Sequence, residues 1–225
     1  MSSGEWVSLT GPTDGFEFNA FRVPAVGARK GGLVLIQEIF GVTQDLKRVC
    51  GDFAAKGYDV LCPSLFDRRE VKVEIPHDTQ DGLAKARDYA YSKPVEEIVG
   101  DVQACIDALK DDGPVYITGF CYGGFVSWLA AARCEGLAAA SGYYGRTILN
   151  LPDEQPKCPI ILHWGDNDPH IPMDEVEKFM QHRPEIVSHV YAAGHGFVSQ
   201  RSNDHNAEAT DLAMQRTLEL FDANK

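Results

Sequence analysis

Positive charge is scarce in this sequence. Its 225 residues include 21 Lys and Arg against 33 Asp and Glu, a formal net charge of −12. The average field of such a chain repels a polyanion, so no nucleic-acid partner is expected. Long apolar runs are missing as well. None reaches the roughly 18 residues a membrane-crossing helix needs, so no membrane partner is expected either. The start, Met1 to Trp6, has neither a basic nor an apolar region. No secretory leader is therefore expected, and the expected location is cytoplasmic. Paired cysteines are absent. Cys50, Cys62, Cys105, Cys121, Cys134 and Cys158 include no CxxC spacing, which points to free thiols, most of them small core residues. No histidine pair has ligand spacing with supporting acids, so neither metal nor cofactor is expected.

What is present alternates. Short apolar runs at Gly31–Gln37, Tyr58–Cys62, Pro114–Gly119, Leu137–Ser141, Ile160–Trp164 and 187–192 read as strands. Helical spacing falls between them, over residues 44–56, 94–110, 123–134, 173–182 and 207–222. Trp6–Leu9 and Phe16–Val23 suggest an antiparallel edge pair. This order predicts an α/β fold: a mostly parallel sheet with helices on both faces, one domain over 1–225. Residues 64–93 are the least regular stretch and are expected to form a cap beside an active site. A monomer or weak dimer is expected.

One corner stands out. Gly119-Phe-Cys-Tyr-Gly-Gly124 lies between a strand and a helix. A nucleophile on such a turn has strained dihedrals, and side chains two residues before and after it would collide. Gly119 and Gly123 occupy those places, and Cys121 occupies the nucleophile's. The thiol lies at a helix N-terminus, near unpaired amides, and the N–H of Tyr122 faces a developing oxyanion. In this arrangement an acid follows a later strand and a histidine precedes the last helix. Gly165-Asp-Asn-Asp168 offers Asp166 and Asp168, and Ala193-Gly-His195-Gly-Phe197 offers the imidazole. His163, His170, His182, His189 and His205 fit core or solvent roles better. The expected chemistry is acyl transfer through a thioester.

Taken together, Gln37-Glu-Ile-Phe-Gly41, Cys62-Pro-Ser-Leu-Phe-Asp-Arg68, GFCYGG, Gly142-Tyr-Tyr-Gly145, Gly165–Pro172 and Ala193–Phe197 make the chain resemble the dienelactone hydrolase family of α/β-hydrolases. The resemblance implies Asp168 as the triad acid and Asp166 as a turn residue. It implies that Glu38 accepts the cysteine proton and that the Ile39 N–H is the second oxyanion donor. It also implies that Arg68 pairs with a substrate carboxylate through two parallel hydrogen bonds. Arg69 is expected to face solvent. A further arginine is expected four residues after the histidine, but Ser199 stands there, and Arg201 is the candidate substitute. Phe40, Phe66, Tyr122, Tyr143, Tyr144 and Trp164 are candidate pocket walls. The implied substrate is a small lactone or ester bearing a carboxylate. A broader carboxylesterase or thioesterase on the same triad is the alternative. A non-catalytic thiol redox or ligand-binding protein is the alternative from another class.

Overall fold

The computed structural model describes residues 4–225. Residues 1–3, on which part of the leader expectation falls, lie outside the described residues. Among the described residues eight strands form one sheet in the order β1-β2-β4-β3-β5-β6-β7-β8. The strands are β1 (Glu5–Thr10), β2 (Glu17–Val23), β3 (Gly31–Ile36), β4 (Tyr58–Pro63), β5 (Val115–Phe120), β6 (Leu137–Tyr143), β7 (Ile160–Gly165) and β8 (Val187–Tyr191). The pairs β1/β2 and β2/β4 are antiparallel, and every other pair is parallel.

Every residue of β3, β4, β5 and β7 is buried. Successive side chains of a strand point to opposite faces, so both faces of the sheet are covered. The cover comes from α1 (Gln44–Ala54), α2 (Gln80–Tyr91), α3 (Val95–Leu109), α4 (Tyr122–Arg133), α5 (Met173–His182) and α6 (Ala207–Ala223). Thr43 caps α1, its hydroxyl accepting from the N–H of Leu46. Helix α4 is buried from Tyr122 to Ala132, so it carries no polar face. Among the described residues no helix is long and apolar enough to cross a membrane.

The expected elements are present, with ends moved by at most two residues. One correction concerns residues 64–93, which contain the regular helix α2. Its buried positions are Gly82, Ala86 and Ala90, all small, so no large apolar stripe marks it in the sequence.

His163 lies inside β7 and is fully buried, as its place in a strand implies. Its Nδ1 is 2.8 Å from the Tyr191 hydroxyl and its Nε2 3.2 Å from that of Thr217. Burial first, then the charges of His189 and Arg216, hold its pKa well below 6.5. The unfolded chain therefore takes up a proton that the folded one refuses. The stability this contributes is present above about pH 6.5 and is lost as pH falls below it. Urea unfolding at pH 7 and pH 5 should show the wild type losing about 1–2 kcal/mol more than His163→Phe. Equal losses would contradict the assignment.

Candidate active site

The parallel strands all end at one edge, and the loops leaving that edge bring the site together. After β5 the chain turns at Cys121, whose φ of 56° and ψ of −113° are outside the usual regions for a non-glycine residue. A Cβ on Gly119 would lie 2.5 Å from the Gly123 carbonyl, and one on Gly123 would lie 2.6 Å from the Ile36 carbonyl oxygen. The two glycines are therefore what permits the corner. The Cys121 N–H donates to the Tyr143 carbonyl at 3.0 Å, and its own carbonyl accepts from Gly124 at 3.0 Å. Cys121 is partly exposed. Burial pushes the thiols of Cys62 and Cys105 well up, Cys134 to about 12 and Cys158 to about 11, so these four are inert core or near-core groups.

The loop after β7 supplies Asp168 and the loop after β8 supplies His195. Asp168 Oδ2 is 2.6 Å from His195 Nδ1, and Asp168 Oδ1 accepts from the His170 N–H at 2.7 Å. Both carboxylate oxygens are thus engaged, and the side chain is fully buried. Asp166 instead binds the loop itself, accepting from the Ala193 N–H at 3.2 Å. Burial depresses the His195 pKa, but hydrogen bonding and charge from Asp168 and Cys121 outweigh it and lift the imidazole to about 10. The ring is thus held by the acid and lines the same cleft as the thiol.

Glu38, just past β3, has its Oε2 3.2 Å from Arg201 Nη2. Burial pushes its carboxyl up, while Arg201 and His195 pull it down and Asp45 pushes it up further. Arg201 also reaches Asp45 at 3.5 Å. The arginine two residues beyond Ser199 is therefore anchored on Glu38 and not presented to the cleft. Ile39 and Tyr122 follow the ends of β3 and β5. Among the described residues, neither amide donates to the carbonyl of a turn, loop or cap.

A cleft of about 270 Å³ is lined by Cys121, His195, Glu38, Ile39 and Phe40. Leu83, Arg87 and Tyr91 of α2 line it too, with Arg146 and His170. Neither Arg201, Arg68 nor any expected wall residue other than Phe40 lines it. Arg68 lies in a separate ion cluster, with Asp101 at 2.7 Å, Asp14 at 2.9 Å and Glu97 at 3.4 Å, over the Phe16 ring. Its guanidinium is saturated by acids of this chain and cannot also clamp a substrate. Trp164 points the other way from β7, against Phe179, with its indole N–H on Ser188. Tyr143 packs on His163 and is 2.6 Å from the Thr217 hydroxyl, behind the site. Phe66 and the Tyr122 side chain are buried against each other. Tyr144 packs on the His195 ring, with centroids 5.1 Å apart. Arg69 pairs with Asp88 at the surface, as expected.

The residues missed from sequence are Arg87, Arg146 and His170. Arg146 gives Nη2 to Glu175 at 2.8 Å, while its Nη1 is buried without a partner. The His170 ring meets that of His195 edge-on at 5.1 Å. The loop after β6 and the cap helix supply the two arginines, and nothing in their local sequence signals it. Among the described residues no three His, Cys, Asp or Glu side chains group as a metal site.

A mostly parallel sheet, a strained cysteine at a strand-to-helix corner, and an acid-bound histidine from the last loops define an α/β-hydrolase. Comparisons narrow the class. The model of the dienelactone hydrolase family matches residues 18–224. A carboxymethylenebutenolidase of Pseudomonas sp. (strain P51) is 31% identical, with 89% of this chain and 87% of that protein covered. Another, from Pseudomonas putida, is 29% identical over 92% of each. A crystal structure from Klebsiella pneumoniae shares the fold, with a TM-score of 0.81, 23% identity, and 98% and 99% of the two chains covered. The chain belongs to the dienelactone hydrolase family and is a hydrolase.

Proposed function

We propose that the protein hydrolyses small carboxylic esters or enol-lactones that bear an anionic group, with Cys121 as the nucleophile. The observation that supports this best is the 2.6 Å contact between Asp168 and His195 Nδ1, beside a strained cysteine at the cleft. Asp168 fixes the ring so that Nε2 is the nitrogen left for the thiol. For attack, Cys121 gives its proton to His195, whose raised pKa favours the imidazolium beside a thiolate, or to Glu38, and sulfur bonds to the carbonyl carbon. The carbonyl oxygen takes the negative charge toward the Ile39 and Tyr122 amides. Collapse expels the alcohol or enol oxygen, which takes up a proton. Water then attacks the thioester, giving its proton to His195, and the acid leaves with Cys121 restored as thiol.

The anion is assigned to Arg87 and Arg146. They are the guanidinium groups of the cleft, and Arg146 offers a donor with no partner. A guanidinium–carboxylate pair is worth roughly 1.5–3 kcal/mol where solvent is partly excluded. Arg146→Ala and Arg87→Ala should each lower kcat/KM for an anionic ester about 10- to 100-fold and leave a neutral ester within about threefold. Arg68→Ala should leave that preference unchanged. The second reading, a broad carboxylesterase or thioesterase, is favoured by the apolar wall of Ile39, Phe40, Leu83 and Tyr91. Equal losses on anionic and neutral esters would select it.

A further inference from the structure

Tyr144 follows the last residue of β6 with a φ of 38°. A bulky aromatic residue in the left-handed region is an outlier, and such strain concentrates at functional sites. The backbone is pinned there, because the Tyr144 N–H donates to the His163 carbonyl at 2.8 Å. One side of the ring covers His195, and Phe197 meets it edge-on at 5.3 Å. The side chain is fully buried and the Val198 N–H acts on its oxygen, yet the hydroxyl as a donor has no acceptor among the described residues. Buried hydroxyls almost always have one.

The hydroxyl's residue borders a small void of about 20 Å³, enough for one water. Glu38 borders the same void, with Asp45, Ser199, and the apolar Leu46 and Val49. Glu38 comes to it from the β3 end, with Oε2 already on Arg201. After burial itself, the charges that act most on the Tyr144 phenol are those of Glu38 and then Cys121. A buried hydroxyl in want of an acceptor and a partly buried carboxylate thus line the same small void.

We propose that Tyr144 is a positioning residue for Glu38: its hydroxyl donates to the Glu38 carboxylate across this void, directly after side-chain rotation or through one bridging water. The proposal rests on the reading of Glu38 as an acceptor of the thiol proton. Donation favours the ionised carboxylate, as Arg201 and His195 do. Asp45, on α1, opposes it. Without the phenol, Glu38 keeps a proton to higher pH and cannot accept the one from Cys121.

Tyr144→Phe removes one oxygen and keeps the packing. Glutamate labelled with 13C at the carboxyl, assigned by loss of the signal in Glu38→Gln, reports the titration of Glu38 alone. Its midpoint should rise by about one pH unit in Tyr144→Phe, a tenfold change in the acid constant. Alkylation of Cys121 by iodoacetamide at pH 6 should slow several-fold, and the change should vanish in the Glu38→Gln background. An unchanged Glu38 midpoint, with a thermal midpoint that stays level or rises, would mean the hydroxyl is an orphan and overturn the proposal. The hydrolase reading would survive that result, since acylation of Cys121 tests it separately. If Cys121 never acylates, the carboxyl titration still decides the role of Tyr144.

Discussion

Cys121→Ala should lower turnover of any accepted ester by about 10⁴-fold or more, while the fold is retained. Removing a nucleophile from a triad removes the whole covalent route, and what remains is binding and oxyanion stabilisation. The variant should fold because Cys121 is partly exposed, and its strain comes from the backbone, which alanine also tolerates poorly but no worse than cysteine. His195→Ala should lose nearly as much, and the double variant no more than Cys121→Ala alone, because the two act as one unit. Additive losses would separate the histidine from the thiol. Turnover assays with purified variants, with circular dichroism as the check on folding, decide between these outcomes.

The second large effect is on stability. Asp101 is a carboxylate buried in α3, at 2.7 Å from Arg68 and 2.5 Å from Lys93. Lys93 is itself buried and also donates to the Leu65 carbonyl at 2.7 Å. Burial pushes the Lys93 pKa down, and Asp101 pushes it back up. Asp101→Ala therefore leaves two cations facing each other in a poorly solvated place. Breaking a buried pair in this way costs about 3–5 kcal/mol, well above the median for a surface pair. For a domain of this size that corresponds to a fall in thermal midpoint of roughly 6–20 °C. A fall of less than about 3 °C would mean that water reaches the cluster and screens it. Asp101→Ala should change the ratio of activity on anionic and neutral esters little, since Arg68 belongs to an ion cluster and does not line the cleft.

The difference between Arg68 and Cys121 shows what the linear chain discloses. The cysteine corner is a local matter: a strand, two glycines and a helix start within a dozen residues fix its geometry. Asp168 and His195 were legible because each sits in a loop at a fixed place in the strand order, and the 2.6 Å contact agrees with that placement. Arg68 was not legible. Its partners Asp14 and Asp101 are 54 and 33 residues away, and no local pattern announces them. The same holds in reverse for Arg87 and Arg146. Helix α2 buries only glycine and alanine, so its existence, and hence the direction in which Arg87 points, was hidden. Tyr143 and Tyr144 illustrate the limit at single-residue scale. Adjacent aromatics diverge because one ends the strand and the next takes a left-handed φ, sending one ring to His163 and the other to His195.

The most direct test of the central claim is rapid quenching of the wild-type enzyme with an activated ester, followed by intact-mass and peptide mapping. One acyl group per chain, on the peptide that contains Cys121 and absent from Cys121→Ala, is the predicted result. Undiminished turnover by Cys121→Ala, with no adduct on the wild-type thiol at any quench time, would contradict it.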